Sequence, residues 1–318
     1  MCTSLTYTNG AGQHFFARTM DFPTTTPWRP IFLPRDYRWM TALQTRRMTR
    51  YALLGGGRLA VDRPAYLMAD GINERGLTCA ELYLPGATTY ADEPLAGKVN
   101  LTPQDFINWA LGEHATLAEI VADLPQVRLV SRRWGNDRYV YPFHWILSDR
   151  TGQTLVIEPT ELTLHAQIDT SGVLTNTPVL ATHLHNLNQF LHVPGDTFQP
   201  ATITAAREYL TSSAPLPTGP VPTDRFIRTA ITRWGTPLLP TSLATQRAIF
   251  AWLAAVSLPY HPERRHERNH NYTHYRSLIN LNTLSYTFIP RTTHRLQQIK
   301  LTPRMAASRH SPHVYPAN

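Results

Sequence analysis

Residues 1–22 read MCTSLTYTNGAGQHFFARTMDF, and the fold turns on how they pair. TSLTYT (3–8) alternates apolar and polar positions, NGAG (9–12) is a turn signal, and QHFFARTM (13–20) alternates again. This is the pattern of an N-terminal β-hairpin. Cys2 stands directly before the first strand, behind the initiator Met. Removal of Met1 puts a free α-amine and a thiol on one residue. A thiolate is a strong nucleophile, and a chain-terminal amine with a pKa near ~7.7–8.0 can act as its base. Such a centre needs a cation beside the sulfur, an acceptor to orient the amine, and donors for an oxyanion. In the hairpin, Arg18 and Asp21 fall near the end of the first strand and supply the first two. Taken singly these signals are weak, because an Arg and an Asp three apart on a strand end commonly form a surface pair.

Outward from the hairpin, YLMADGI (66–72) and GLTCAELYL (76–84) read as strands. TPQDFINWALGEH (102–114), with a Thr cap, and TLAEIVADL (116–124) have helical spacing. FHWILSD (143–149) and QTLVIEP (153–159) flank a turn, and LTLHAQI (162–168) and GVLTN (172–176) follow as strands. TDRFIRTAITRW (223–234) and TSLATQRAIFAWLAAV (241–256) are helical. NYTHYRSLINLNTLSYTFIP (271–290) and HRLQQIKL (294–301) are late strands. Hairpins at both ends with helices grouped between them predict an α+β fold with antiparallel sheets. No linker or repeat divides the chain, so residues 1–301 are expected to form one domain and 302–318 a disordered basic tail.

The 318 residues are 42% hydrophobic and 16% charged, enough for a large core. Two cysteines, Cys2 and Cys79, exclude a disulfide framework. No secretory signal and no long apolar run is visible, so a cytoplasmic location and no membrane contact are expected. The net charge of +8 gathers in HPERRHERNH (261–270) and in 291–313. Neither stretch has the pattern of a nucleic-acid module, and both read as solvated basic segments.

Six motifs then carry a resemblance: MCTSLT, ARTMDF, NERGLTCAELYLP, PFHWILSDRTG, GVLTNTP and DRF occur in this order. Together they resemble the choloylglycine hydrolase family of N-terminal nucleophile hydrolases, which contains penicillin V acylases and conjugated bile salt hydrolases. The resemblance implies an αββα four-layer sandwich of two antiparallel sheets between helix layers. It implies cleavage of a linear amide through a thioester acyl-enzyme, with no cofactor and no metal. By the same resemblance Cys2 matches the nucleophile, and Arg18 and Asp21 the groups that support the thiolate and orient the amine. Asn176 matches the side-chain donor of the oxyanion hole, Tyr83 its backbone donor, and Arg225 the second active-site arginine. Tyr83 in LYLP resembles penicillin V acylases, where bile salt hydrolases carry Asn. Met20 in ARTMDF points the same way, and both residues are expected to touch substrate. The expected activity is that of a penicillin V acylase, with bile salt or N-acyl homoserine lactone cleavage as alternatives. A catalytically silent scaffold gripping an anionic partner through its basic segments is the non-enzyme alternative. The partner implied is a small amide. Relatives form tetramers, but the segment before DRF departs from theirs, reading SSAPLPTGPVPTDRF (212–226).

Three other features attract chemistry and are read otherwise. THLHNLNQFLH (182–192) lacks the spacing and carboxylates of a metal site. Cys79 reads as a buried, inert thiol. GGGR (55–58) reads as a turn, and Asp70 and Asn73 as a strand end and turn without catalytic role.

Overall fold

The computed structural model describes residues 2–23, 26–133, 140–264, 266–267, 270–308 and 311–316. The N-terminal hairpin forms as its alternation predicts. Strand Thr3–Thr8 pairs antiparallel with His14–Phe22, in the register Ser4↔Arg18 and Thr3↔Thr19. Asn9 closes the turn with its side-chain oxygen, which accepts from the backbone of Ala11 and Gln13. This hairpin lies inside a six-stranded antiparallel sheet. Val173–Leu174 pairs with its first strand and Tyr272–Asn280 with its second. Ser285–Pro290 and Gln297–Lys300 complete that sheet.

The second sheet has eight antiparallel strands. Its spatial order is Ala166–Ile168, Thr154–Ile157, Phe143–Ser148, Thr78–Tyr83, Tyr66–Asn73, Leu53–Leu59, Arg29–Leu33 and His313–Val314. Both faces of its central strands are buried, and the side chains divide by parity. Leu54, Ile72, Ala80, Leu82, Ile146 and Val156 join the core shared with the six-stranded sheet. Leu53, Met68, Cys79, Trp145, Leu147 and Leu155 join a second core with helix Phe106–Glu113 and helix Leu117–Asp123. There Trp145 stacks on Phe106 with centroids 4.1 Å apart. Cutting a fully buried tryptophan to alanine costs about 3–5 kcal/mol, so this contact pins the helix layer to the sheet. On the far side, helices Pro222–Gly235 and Ser242–Ala255 cover the six-stranded sheet through Phe226, Ile231, Ile249 and Leu253. The result is helices, sheet, sheet, helices, the four-layer α+β sandwich that the resemblance implies. No helix among the described residues is long and apolar enough to cross a membrane.

Several expectations are corrected. GGGR is not a turn; it lies within strand Leu53–Leu59. A Cβ on Gly55 would meet Asp70 O at 2.0 Å, and one on Gly56 would meet Tyr275 Oη at 2.5 Å. The glycines there permit close approach of neighbours rather than a reversal. The strand expected over 162–168 is limited to Ala166–Ile168. Helices Leu180–Phe190 and Pro200–Thr211 form where no helix is expected. The tail beyond 302 is not disordered over its described residues. Thr302 caps helix Pro303–Ala307 by accepting from Met305 N, and Ala306 is buried. His313–Val314 adds an edge strand beside Phe32 and Ile31. Basic composition concealed this because the anchoring apolar residues are few, Met305, Ala306 and Tyr315, beside the Tyr315 N–H to Pro30 O.

Candidate active site

Cys2 precedes the first hairpin strand and is buried. The register that sets Ser4 opposite Arg18 sends the guanidinium back along the hairpin. Arg18 Nη2 donates to Cys2 Sγ at 2.9 Å. The rest of that guanidinium is held by carbonyls, with Nη1 on Ala69 O at 2.7 Å and Nε on Thr19 O at 3.1 Å. Strand pairing between Tyr66–Asn73 and Thr78–Tyr83 reaches only as far as Asp70↔Ala80. Arg18 thus takes the carbonyl of Ala69 just where the two strands part company.

Asn176, just beyond Val173–Leu174, faces Cys2 from the other side. Its Oδ1 accepts from the Cys2 main-chain nitrogen, and its Nδ2 donates to Tyr83 O at 2.8 Å. Arg225, in the first turn of helix Pro222–Gly235, donates to Cys2 O at 2.7 Å, to Thr3 Oγ1 at 2.6 Å and to Asn176 Oδ1 at 3.0 Å. Asp21 lies 4.0 Å from Arg225 Nη1 and accepts from Thr273 Oγ1 at 2.6 Å and Thr19 Oγ1 at 3.2 Å. Its backbone oxygen is 3.6 Å from Cys2 Sγ. Burial pushes the Asp21 carboxyl above the usual carboxylate range, with Arg225 and Thr273 among the groups opposing it.

All the residues singled out from the sequence therefore meet: Cys2, Arg18, Asp21, Asn176, Tyr83 and Arg225, with Met20 Sδ 3.6 Å from Arg18 Nη2. Cys2, Met20 and Tyr83 line one narrow cavity with Phe22, Trp28 and Phe143. Its open space is about 20 Å³, room for about one water molecule.

Sequence reasoning missed the layer behind Arg18. Asp70 is fully buried, 3.8 Å from Arg18 Nε, and accepts from Tyr275 Oη at 2.5 Å and Tyr286 Oη at 2.7 Å. Burial disfavours the Arg18 charge, but Cys2, Tyr275, Asp70 and Glu81 around it outweigh that, and its pKa lies above an ordinary arginine's. The available signal was a carboxylate inside the apolar run YLMADGI, which burial forces to find partners. Glu81 also borders the cavity, and its Oε2 is buried without a hydrogen-bond partner.

The histidines of 182–192 do not converge. His183 Nε2 lies 2.8 Å from Asn176 O with its ring stacked on Phe226, so it buttresses the site from behind. Burial holds its pKa down at about 4. His185 is paired with Asp196 at the surface, and His192 sits past the helix end with φ 56°. Among the described residues no cluster of side chains has metal-ligand geometry.

Two antiparallel sheets between helix layers, with a cysteine at the chain start clamped between them, define the class: an N-terminal nucleophile hydrolase. Residues 2–308 match the family described as linear amide C–N hydrolases, choloylglycine hydrolase family, and the chain belongs to it. A bile salt hydrolase/transferase of Clostridium perfringens is 33% identical over 239 residues, 73% of this chain and 72% of that protein. A penicillin V acylase of Pectobacterium atrosepticum is 28% identical over 150 residues, 45% of this chain and 39% of the relative. The crystal structure of a variant of the conjugated bile acid hydrolase from Clostridium perfringens superimposes with a TM-score of 0.81. It is 26% identical and covers 100% of this chain and 97% of that one.

Proposed function

We propose that this linear amide hydrolase works through a thioester on Cys2, exposed by removal of Met1. The observation that carries the reading is the Arg18 guanidinium 2.9 Å from Cys2 Sγ in a buried pocket. In the first step the α-amine takes the thiol proton and sulfur attacks the amide carbonyl carbon. The C–N bond breaks as the amine leaves with a proton from the α-ammonium. Water then attacks the thioester, releasing the acid and restoring the thiol. Arg18 offers the thiolate an ion-pair partner. Asn176 Nδ2 has a second N–H beyond the one on Tyr83 O, and with the Tyr83 peptide N–H it would receive the oxyanion. Arg225 fixes the Cys2 carbonyl and the Asn176 side chain together, so it positions both nucleophile and donor. Asp21 supplies the negative charge that an α-ammonium requires nearby.

For the acyl group, the aromatic walls Phe22, Trp28, Tyr83 and Phe143 favour a flat ring of the phenoxyacetyl kind. Offset ring contacts contribute about 0.5–1.5 kcal/mol beyond area burial. A second reading, hydrolysis of conjugated bile salts, is favoured by the relatives, since the bile salt hydrolase aligns over more of the chain than the penicillin V acylase does. No observation favours N-acyl homoserine lactones. The test is amine release from penicillin V and glycocholate side by side, on protein whose first residue is established by intact mass. Faster release from penicillin V supports the aromatic-wall reading, and faster release from glycocholate replaces it with the second. Cys2→Ala is expected to abolish release, and full activity in that variant would sink the thioester mechanism. No release from a correctly processed chain would favour the silent-scaffold alternative.

A further inference from the structure

Arg291, at the head of the second basic stretch, lies over the ring of Tyr260, which adjoins the first. Beneath the end of helix Ser242–Ala255, on the helix-facing side of the six-stranded sheet, lies a cavity of about 430 Å³. That is the size of a small-molecule site. Tyr260, adjoining the stretch 261–270, and Arg291 and His294, at the head of the stretch 291–313, line the cavity. Arg276, on strand Tyr272–Asn280, lines it as well. Leu258, Pro259 and Ile289 supply apolar wall.

No carboxylate is among the lining residues. The described acidic groups of 261–270 are already engaged, Glu263 with His261 and Glu267 with Arg264. Arg276 is half-buried and makes no ion pair with any described carboxylate; burial alone acts on it, lowering its pKa. Arg291 lies over the rings of Tyr260 at 4.4 Å and Tyr272 at 5.3 Å, which orients its guanidinium without neutralising it. Both guanidiniums are part-exposed at the cavity, so an anion entering it would meet two arginines that no described carboxylate engages. The cavity is also separate from the one that holds Cys2. The two share no lining residue, although Thr273, in the wall of this one, hydrogen-bonds Asp21.

We propose that this cavity is a second ligand site, taking an amphipathic organic anion whose carboxylate or sulfonate meets Arg276 and Arg291 and whose apolar body lies against Leu258, Pro259 and Ile289. The proposal does not depend on which amide the enzyme cleaves. Its test is calorimetric titration of the full chain with naphthalene-2-sulfonate, with neutral 2-naphthalenemethanol, and with inorganic phosphate. Saturable binding of the sulfonate is expected, weakening as salt rises, with both controls weaker by about tenfold or more. Arg276→Gln and Arg291→Gln are each expected to lower sulfonate affinity about tenfold while amide release continues at the wild-type rate. That retained activity also certifies that the variants are folded. If a variant misfolds, the salt dependence and the neutral control on the wild-type protein still decide. Unchanged affinity in both folded variants, equal binding of the neutral alcohol, or equal binding of phosphate would overturn the proposal.

Discussion

Glu81→Gln isolates the cost of holding one carboxyl beside the Cys2 cavity. Burial pushes the Glu81 carboxyl from 4.5 up to about 8, and Arg18 and Arg58 offset only part of that. Between those values the unfolded chain has released a proton that the folded chain retains. The native state therefore binds more protons than the unfolded one, and stability falls as pH rises across the window. The slope is about 1.4 kcal/mol per pH unit, and the whole window amounts to at most about 5 kcal/mol. Glutamine has no such proton to lose. The difference in unfolding free energy, variant minus wild type, should climb between about pH 5 and about pH 8 and level off above. Urea unfolding at several pH values measures it, and subtraction cancels the other buried acids, Asp21, Asp70, Asp105 and Asp169. A difference that stays constant with pH, or one that falls, would refute the reasoning and mean that Glu81 is ionised in the native protein.

Asp70→Asn leaves the buried Arg18 guanidinium without its carboxylate, and urea unfolding should show a loss of about 3–5 kcal/mol. A loss below about 1 kcal/mol would mean that the carbonyls of Ala69 and Thr19 suffice to hold it. His183 gives the opposite pH dependence to Glu81. Its imidazole is kept neutral down to about 4 against an ordinary 6.5, so its contribution is lost as pH falls through that window. His183→Gln should flatten the acid side of the stability curve by about 1.4 kcal/mol per unit, and parallel curves for the two proteins would count against it.

The hairpin, most helices and the residues gathered at Cys2 were legible because each is encoded locally or by an ordered motif. Alternation in TSLTYT and QHFFARTM fixes which residues face which way, and the register follows from the turn. What stayed hidden depends on distant approach. Gly55–Gly57 looks like a turn because glycine serves both turns and tight packing, and only the positions of Asp70 and Tyr275 distinguish the two. Asp70 reads as a strand end because its partners Tyr275 and Tyr286 lie more than two hundred residues away. Helix Leu180–Phe190 was missed because polar residues dominate LATHLHNLNQF, while its fully buried apolar side chains are only Leu180 and Leu187. The Cys2 cavity follows from sequence in its residue types but not in its narrowness, which is set by how the aromatic walls meet.

The clamp on Cys2 draws together distant parts of the chain. Asn176 takes its nitrogen and Arg225 its carbonyl oxygen, across sequence separations of 174 and 223 residues. A residue early in the sequence is thus seated by residues synthesised well after it. A nascent chain cut short before Arg225 has a thiol but no cradle for it. Synthesis itself therefore delays the assembly of that cradle until Arg225 has been made.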